Sequence, residues 1–261
     1  MSAALPTAPG RATRPGELRA HTAQRRAASI ARRRFARGLT LAGLLFWTAW
    51  TLLVLGAPLV VARWGGELDG LTYDAAGSPA RWVVFGTGVA TTAGLLRIHV
   101  AAGGSRAAFV RGAAGAALPV GAVFGVLTVA LVLLERATYA RAGLPWQGAA
   151  AALDPATWTG AAVVVVTEAI GAVAYVLVGV AVTAVYRRFG ALRGTLLALP
   201  LLVPCVVVDL TTRSGVFGLP VRGAYADTAL GAPLAVAGAL LAAAAAAVLA
   251  HRLLRTVPLR P

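Results

Sequence analysis

The stretch HVAAGGSRAAFVRG, residues 99–112, interrupts an apolar part of the chain with two adjacent glycines, a serine and two arginines. Long apolar runs lie on both sides of it. The hydrocarbon core of a bilayer is about 30 Å thick and requires about 20 apolar residues from a crossing helix. We therefore interpret this stretch as a turn that joins two membrane-spanning helices.

The composition of the whole chain agrees with this interpretation. Of the 261 residues, 59% are hydrophobic and 13% are charged, and the mean hydropathy is +0.78, whereas soluble domains carry about 25% charged residues. Six apolar runs stand out, at about residues 39–61, 82–98, 113–134, 160–185, 194–210 and 229–250. They predict an all-α integral membrane protein with six transmembrane helices. Pro200 and Pro204 predict a kink or partial unwinding in the fifth.

The charges between the runs predict the orientation of the chain. Nine arginines precede the first run, and three lie in each of the segments 97–111, 187–193 and 251–261. The other three connections, counted with Asp209 at the outer end of the fifth run, hold the remaining six arginines together with seven of the nine acidic residues. Because cytoplasmic segments carry the excess of positive charge, this alternation predicts that both termini are cytoplasmic. We expect a multi-pass protein of a bacterial plasma membrane.

The amino-terminal region divides into two predicted segments ahead of a six-span domain over residues 38–261. Residues 1–16, which contain three prolines, are expected to form a disordered tail. Residues 17–37 combine arginines with apolar residues at helical spacing, which predicts a basic amphipathic helix lying on anionic lipid. A basic run can also bind nucleic acid. Arginines beside a first span are already explained by orientation, so we do not expect that partner.

Several kinds of chemistry are excluded by residue type. The chain has no lysine, so it can form neither a Walker A loop nor a Schiff base. Its single cysteine, Cys205, rules out an intramolecular disulfide and a cysteine-based metal cluster. No HExxH, GxSxG or GxGxxG motif occurs. We expect no cofactor and no enzymatic activity, and any ATP would be bound by another polypeptide.

Glu168 is the one acidic residue inside a predicted span, about 12 Å from the outer end of that span. Such a residue should face the helical bundle and marks a candidate functional position. The alternative is a protonated structural glutamic acid, bonded to hydroxyls at similar depth such as those of Thr91 or Thr92. Because Asp209 lies at a predicted outer end, we expect no two ionisable groups to converge within the membrane.

Gly121 and Gly125 form a GxxxG pair in the third run. Small residues at this spacing allow close helix approach, either within one bundle or between two copies of the chain. Packing within one bundle is the interpretation we favour.

The opening stretch also has a predicted local structure. Gly103 and Gly104 should end one helix, and Ser105 should cap the next. Arg106 and Arg111 then flank Phe109 in a short turn before a span that starts near Gly112, where they could offer two cations and an aromatic ring to another surface. An ordinary tight turn with arginines on lipid headgroups remains the alternative.

Gly104, Ser105, Arg106 and Phe109 match a pattern common at one position of a known family. In these residues and in its six-span topology, the chain resembles the permease subunits of type-2 ABC exporters. The resemblance implies that residues 103–111 form a short coupling helix that docks on a separate ABC ATPase. It also implies a homodimer, or a heterodimer with a second permease. The rival hypothesis is a non-transport assembly or regulatory factor whose basic tail recruits a partner.

Overall fold

The computed structural model describes residues 15–64, 77–141, 156–212 and 230–257. Throughout these ranges the regular structure is helical, which confirms the all-α prediction. The helices are α1 (Pro15–Arg63), α2 (Gly77–Ala101), α3 (Arg106–Arg141), α4 (Trp158–Leu201), α5 (Val203–Thr212) and α6 (Gly231–Arg255). Most of the tail predicted to be disordered lies outside the described residues.

Five helical stretches of the described chain are long and apolar enough to cross a membrane. They are Ala20–Val54, Gly77–Ala101, Arg106–Arg141, Trp158–Thr212 and Gly231–Arg255. The fourth is 55 residues long and includes the fourth and fifth runs of the sequence analysis. A multi-pass helical membrane protein is the class that this architecture defines.

The 55-residue stretch folds back on itself at Gly190, whose φ of 76° and ψ of −174° are not helical. The two limbs then run side by side in opposite directions. Near the bend, the Tyr186 and Thr195 hydroxyls are 2.9 Å apart, and farther away the Tyr175 hydroxyl donates to Asp209 over 2.8 Å. The second limb breaks again at Leu202, between the two predicted prolines, which confirms the expected kink.

Contacts between the helices show that their directions alternate along the chain. Phe35 packs on Phe109, and Trp47 packs on Phe124, so α1 and α3 are parallel. Arg81 pairs with Glu168, and Thr183 donates to the Val89 carbonyl, so α2 is parallel to the first limb of α4. One end of the bundle thus holds the start of α1, residues 102–105, the Gly190 bend and the end of α6. We call it the turn end, and the other the far end.

Helix α1 passes through the predicted boundary at residue 38 without a break. Its 49 residues correspond to about 74 Å, more than twice the thickness of bilayer hydrocarbon. Ala31, Phe35 and Leu39 are buried, so one face of the basic segment packs on the bundle. The interfacial position of residues 17–37 stays a prediction, but the segment and the first span are one helix.

The GxxxG pair of α3 packs against α4 inside the bundle. A Cβ on Gly121 would lie 2.5 Å from the Cβ of Ala172, and one on Gly125 would lie 2.7 Å from the Cα of Val165. Only glycine permits this approach. The preference for packing within one bundle is therefore confirmed at this surface.

Candidate functional sites at the two ends of the bundle

Residues 102–105, here called the α2–α3 turn, have the predicted local structure. Gly103 has a φ of 83°, which favours glycine, and α2 ends two residues before it. The Ser105 hydroxyl accepts a hydrogen bond from the Ala108 backbone N–H over 3.1 Å, which is the expected amino-terminal cap of α3.

The α2–α3 turn is bonded to two other helices. The Ser105 backbone N–H donates to Oε1 of Gln24 in α1 over 3.1 Å. In α2, Nε2 of His99 lies 3.2 Å from the Ser105 carbonyl oxygen, a hydrogen-bond distance. The His99 ring also occupies the place where a side chain on Gly104 would lie, so the second glycine is required for close packing.

Arg106 connects the start of α3 to the end of α6. Its Nη1 donates to the Arg255 carbonyl over 2.6 Å, and its Nη2 donates to the Val257 carbonyl over 2.7 Å. Carbonyls at a helix carboxyl terminus lack partners within the helix and carry partial negative charge. The guanidinium satisfies one such group at Arg255 and a second carbonyl at Val257, just beyond the helix, so two of its five N–H donors are engaged within the chain.

Phe109 is buried, so the interpretation in which its ring is offered to another surface is wrong. Its exposed fraction is 0%, and its ring packs edge-on against Phe35 at 5.3 Å and His99 at 5.2 Å between centroids. Nor do residues 106–112 form a separate short element, because α3 begins at Arg106 and continues to Arg141. Arg111 remains exposed on the first turns of α3.

At the far end, five polar side chains form a second candidate site, of which the sequence predicted only Glu168 as a candidate position. We call it the Arg81 cluster: Arg81 of α2, Glu168 and Tyr175 of α4, and Asp209 and Thr212 of α5. The side chains of the three charged members are 3%, 11% and 5% exposed for Arg81, Glu168 and Asp209. Water is therefore largely excluded from these three charged groups.

The Arg81 guanidinium holds both carboxylates. Its Nη2 and Nε donate to Oε1 and Oε2 of Glu168 over 2.6 and 3.2 Å. Its Nη1 donates to Asp209 Oδ1 over 2.9 Å and to the Thr212 hydroxyl over 2.8 Å. Tyr175 donates to the other Asp209 oxygen. A bidentate guanidinium–carboxylate pair has fixed geometry, so the cluster fixes α2, α4 and α5 relative to one another.

One alternative and one expectation about Glu168 are therefore wrong. It pairs with Arg81 rather than with Thr91 or Thr92, and it converges with a second acid, Asp209. The reason is the register of two parallel helices, which places Glu168 beside residue 81. Thr91 is ten residues farther along α2, about 15 Å away along the axis. Thr92 is buried, and its hydroxyl has no hydrogen-bond partner among the described residues.

The chemistry available to the Arg81 cluster is electrostatic. Both carboxylates accept hydrogen bonds from one guanidinium, and within the described chain no group of three His, Cys, Asp or Glu side chains is arranged to hold a metal ion. Replacing a buried ion pair as a whole is often tolerated, whereas removing one partner is costly. The cluster is therefore suited to holding three helices in one arrangement.

Comparison with known proteins adds no assignment: no family model, no curated protein and no solved structure matches the chain. The contacts at the two ends of the bundle are therefore the basis for a functional proposal.

Proposed function

We propose that the chain is a permease-like subunit of a membrane exporter, which couples to a separate ABC ATPase through the α2–α3 turn. The observation that carries the proposal is that this one short turn is bonded to several helices at once. Ser105 binds α1 and α2, and the adjacent Arg106 binds the end of α6. A displacement of the turn would therefore be transmitted to four helices. A loop that receives mechanical work from a partner requires this connectivity.

The proposal includes six membrane crossings with the turn end in the cytoplasm. The reversal at Gly190 supports the sixth crossing, because the limb after it returns to the far end at Asp209. The turn end holds the described parts of the four arginine-rich segments of the sequence. At the far end, Trp64 and Trp158 are 82% and 94% exposed, as is typical of tryptophans at a membrane interface.

The docking surface differs from the one that the resemblance implies. Phe109 is buried and Arg106 is bonded to α6, so a partner would meet exposed positions instead. Ala102, Gly103 and Arg111 are exposed at the turn, and Arg255 is exposed at the neighbouring end of α6. These arginines favour an acidic surface on the ATPase. Assembly as a homodimer, or as a heterodimer with a second permease, remains part of the proposal.

The burial of Phe109 also favours the second candidate, an assembly or regulatory factor. The turn offers no aromatic ring to a partner, whereas the start of α1 presents a row of exposed arginines, including Arg25 and Arg33. Under this alternative the partner would bind α1, and the turn would only hold helices together.

Affinity purification of the tagged full-length protein in mild detergent separates the two candidates. The exporter proposal expects a stoichiometric ATPase subunit in the eluate, lost in Arg111→Glu. Arg63→Glu is the matched control, because Arg63 is also exposed but lies at the far end of the bundle. Recovery of the chain without any ATPase, or equal recovery with both variants, would contradict the coupling role.

Loss of a co-purified partner only in Arg25→Glu/Arg33→Glu would instead support the assembly or regulatory factor. The Arg111→Glu protein should elute from size exclusion as the unmodified protein does, because among the described residues Arg111 makes only a local bond of 3.4 Å to the Ala107 carbonyl.

A further inference from the structure

Two adjoining cavities lie between the first part of α1 and the last turns of α2. One has a volume of about 620 Å³ and the other about 300 Å³, and both are bordered by Ala27, Ile30 and Ala102. We call the pair the α1–α2 groove. Their volumes are in the range of ordinary ligand sites. The groove is a feature of the turn end that neither proposed function explains.

Two arginines line the groove, one in each cavity. Arg26 borders the larger cavity and Arg34 the smaller one. Eight residues of α-helix separate their Cα atoms by about 12 Å along the axis and by about 80° around it, with Ile30 midway between them. In the part of the chain that the structure describes, neither forms an ion pair with an acidic side chain. Both guanidinium groups are exposed and available to an anion.

The floor of the groove is apolar. Ile30 and Ile98 are 59% and 65% exposed, and Leu95 lines the smaller cavity beside Ile98. These two α2 residues end the apolar run that was predicted as the second span. The groove therefore continues directly from a hydrocarbon-facing surface to a pair of cations.

We propose that the α1–α2 groove binds one anionic phospholipid of the surrounding membrane. Its headgroup pairs with Arg26 and Arg34 on either side of Ile30, and an acyl chain lies over Ile98 and Leu95. A soluble anion would leave the isoleucines in water, and a lipid without net charge would not neutralise the arginines. An anionic phospholipid satisfies both surfaces, as expected for basic pockets between helices at the cytoplasmic side.

This inference goes beyond the proposed function, because it requires neither transport nor an ATPase. The groove is also bordered by Gly103 and Gly104 of the α2–α3 turn. A bound lipid would therefore contact α1, α2 and the turn together, and its binding should stabilise their arrangement.

Native mass spectrometry of the detergent-purified full-length protein tests the proposal. Dioleoylphosphatidylglycerol is titrated against dioleoylphosphatidylcholine, which has the same acyl chains and no net charge. Arg26→Gln/Arg34→Gln should weaken phosphatidylglycerol binding by about thirtyfold, because each substitution removes the attraction of one basic residue for anionic lipid. Arg25→Gln/Arg33→Gln is the matched control, since these exposed arginines have the same spacing and border neither cavity.

A third variant tests the apolar floor without changing the charge. Ala27→Leu places a larger side chain between the two cavities and should also reduce phosphatidylglycerol binding, while circular dichroism shows an unchanged helix content. Equal loss in both arginine pairs would overturn the proposal in favour of nonspecific attraction to a basic helix. Equal binding of both lipids, or full binding by Ala27→Leu, would overturn it as well.

Discussion

Both ends of the bundle contain arginines in important contacts, but in different surroundings. At the turn end, Arg106 is half-buried and binds backbone carbonyls at the end of α6. At the far end, Arg81 is almost fully buried and binds two carboxylates from other helices. Water can replace a lost bond in the first case but not in the second. The contribution of an arginine to stability therefore depends on how deeply it is buried in the bundle.

The far end should give the largest effect on stability. Arg81→Met leaves Glu168 and Asp209 buried without their guanidinium, which should lower the free energy of unfolding by about 3–5 kcal/mol. Denaturant titration in mixed micelles measures it. Combining Arg81→Met with Glu168→Gln and Asp209→Asn should restore most of the loss, because no buried charge is then left unpaired. If Arg81→Met lowered the free energy of unfolding by less than about 1 kcal/mol, the proposed difference in stability contribution between the two ends would be wrong.

The next effect concerns the packing that positions Glu168. A Cβ on Gly121 would lie 2.8 Å from the Glu168 carbonyl oxygen as well as close to Ala172. Gly121→Ala should therefore destabilise the protein by about 1–3 kcal/mol. Gly86→Ala is the matched control in α2, where an added Cβ meets nothing within 4 Å, and it should stabilise by up to about 1 kcal/mol. Equal shifts in both variants would show that α3 and α4 are not in this close contact.

At the turn end, Arg106→Ala should cost about 1–2 kcal/mol, because it removes one charge-assisted bond to the last carbonyl of α6 and another to the Val257 carbonyl beyond it. Hydrogen exchange should accelerate at Thr256 and Val257, whose N–H groups bond to Leu253 and Leu254 in the final turn. Arg111→Ala, which breaks no contact with α6, should leave this exchange unchanged. Unaltered protection in Arg106→Ala would contradict the capping role.

The smallest effect belongs to the cap of α3. Ser105→Ala removes the bond to the Ala108 N–H and should cost about 1 kcal/mol, whereas Ser105→Asn, also a good cap, should cost less. Thermal unfolding in detergent compares the two variants. If Ser105→Ala proved as damaging as Arg81→Met, the ranking of the two ends would be wrong.

Much of the fold follows from local sequence. Apolar runs predict the long helices, Gly103 and Ser105 predict how the α2–α3 turn begins and ends, and Pro200 and Pro204 predict the break before α5. Each of these depends on residues that are neighbours in the chain. The reversal near Gly190 likewise follows from the arginines between the fourth and fifth runs.

The Arg81 cluster could not be found in the same way. Arg81 lies one residue before a predicted span, so the sequence assigns it to the connection rather than to the bundle. Its acidic partners lie 87 and 128 residues away in the chain. Only the register between α2, α4 and α5 brings them together. Counting residues from the predicted end of each span gave Glu168 and Thr91 a similar depth in the membrane, which is not where the helices place them. The one usable signal was that a buried acid requires a cation, and Arg81 is the arginine nearest an outer span end.

The burial of Phe109 also depended on packing rather than on sequence spacing. An aromatic residue between two arginines can face out or in, and here the continuous helix α1 supplies Phe35 to cover it. When residues 17–37 were predicted to lie on the membrane surface as a separate segment, no residue was expected to cover Phe109.

The account depends most on the turn end being cytoplasmic and the far end being outside. Single cysteines at Ala102 and Ala156, both exposed and at opposite ends, can be placed in a Cys205→Ala background and treated with a membrane-impermeant maleimide in intact cells. The account predicts labelling at position 156 only, and at position 102 after the membrane is opened. Labelling of position 102 in intact cells would contradict it.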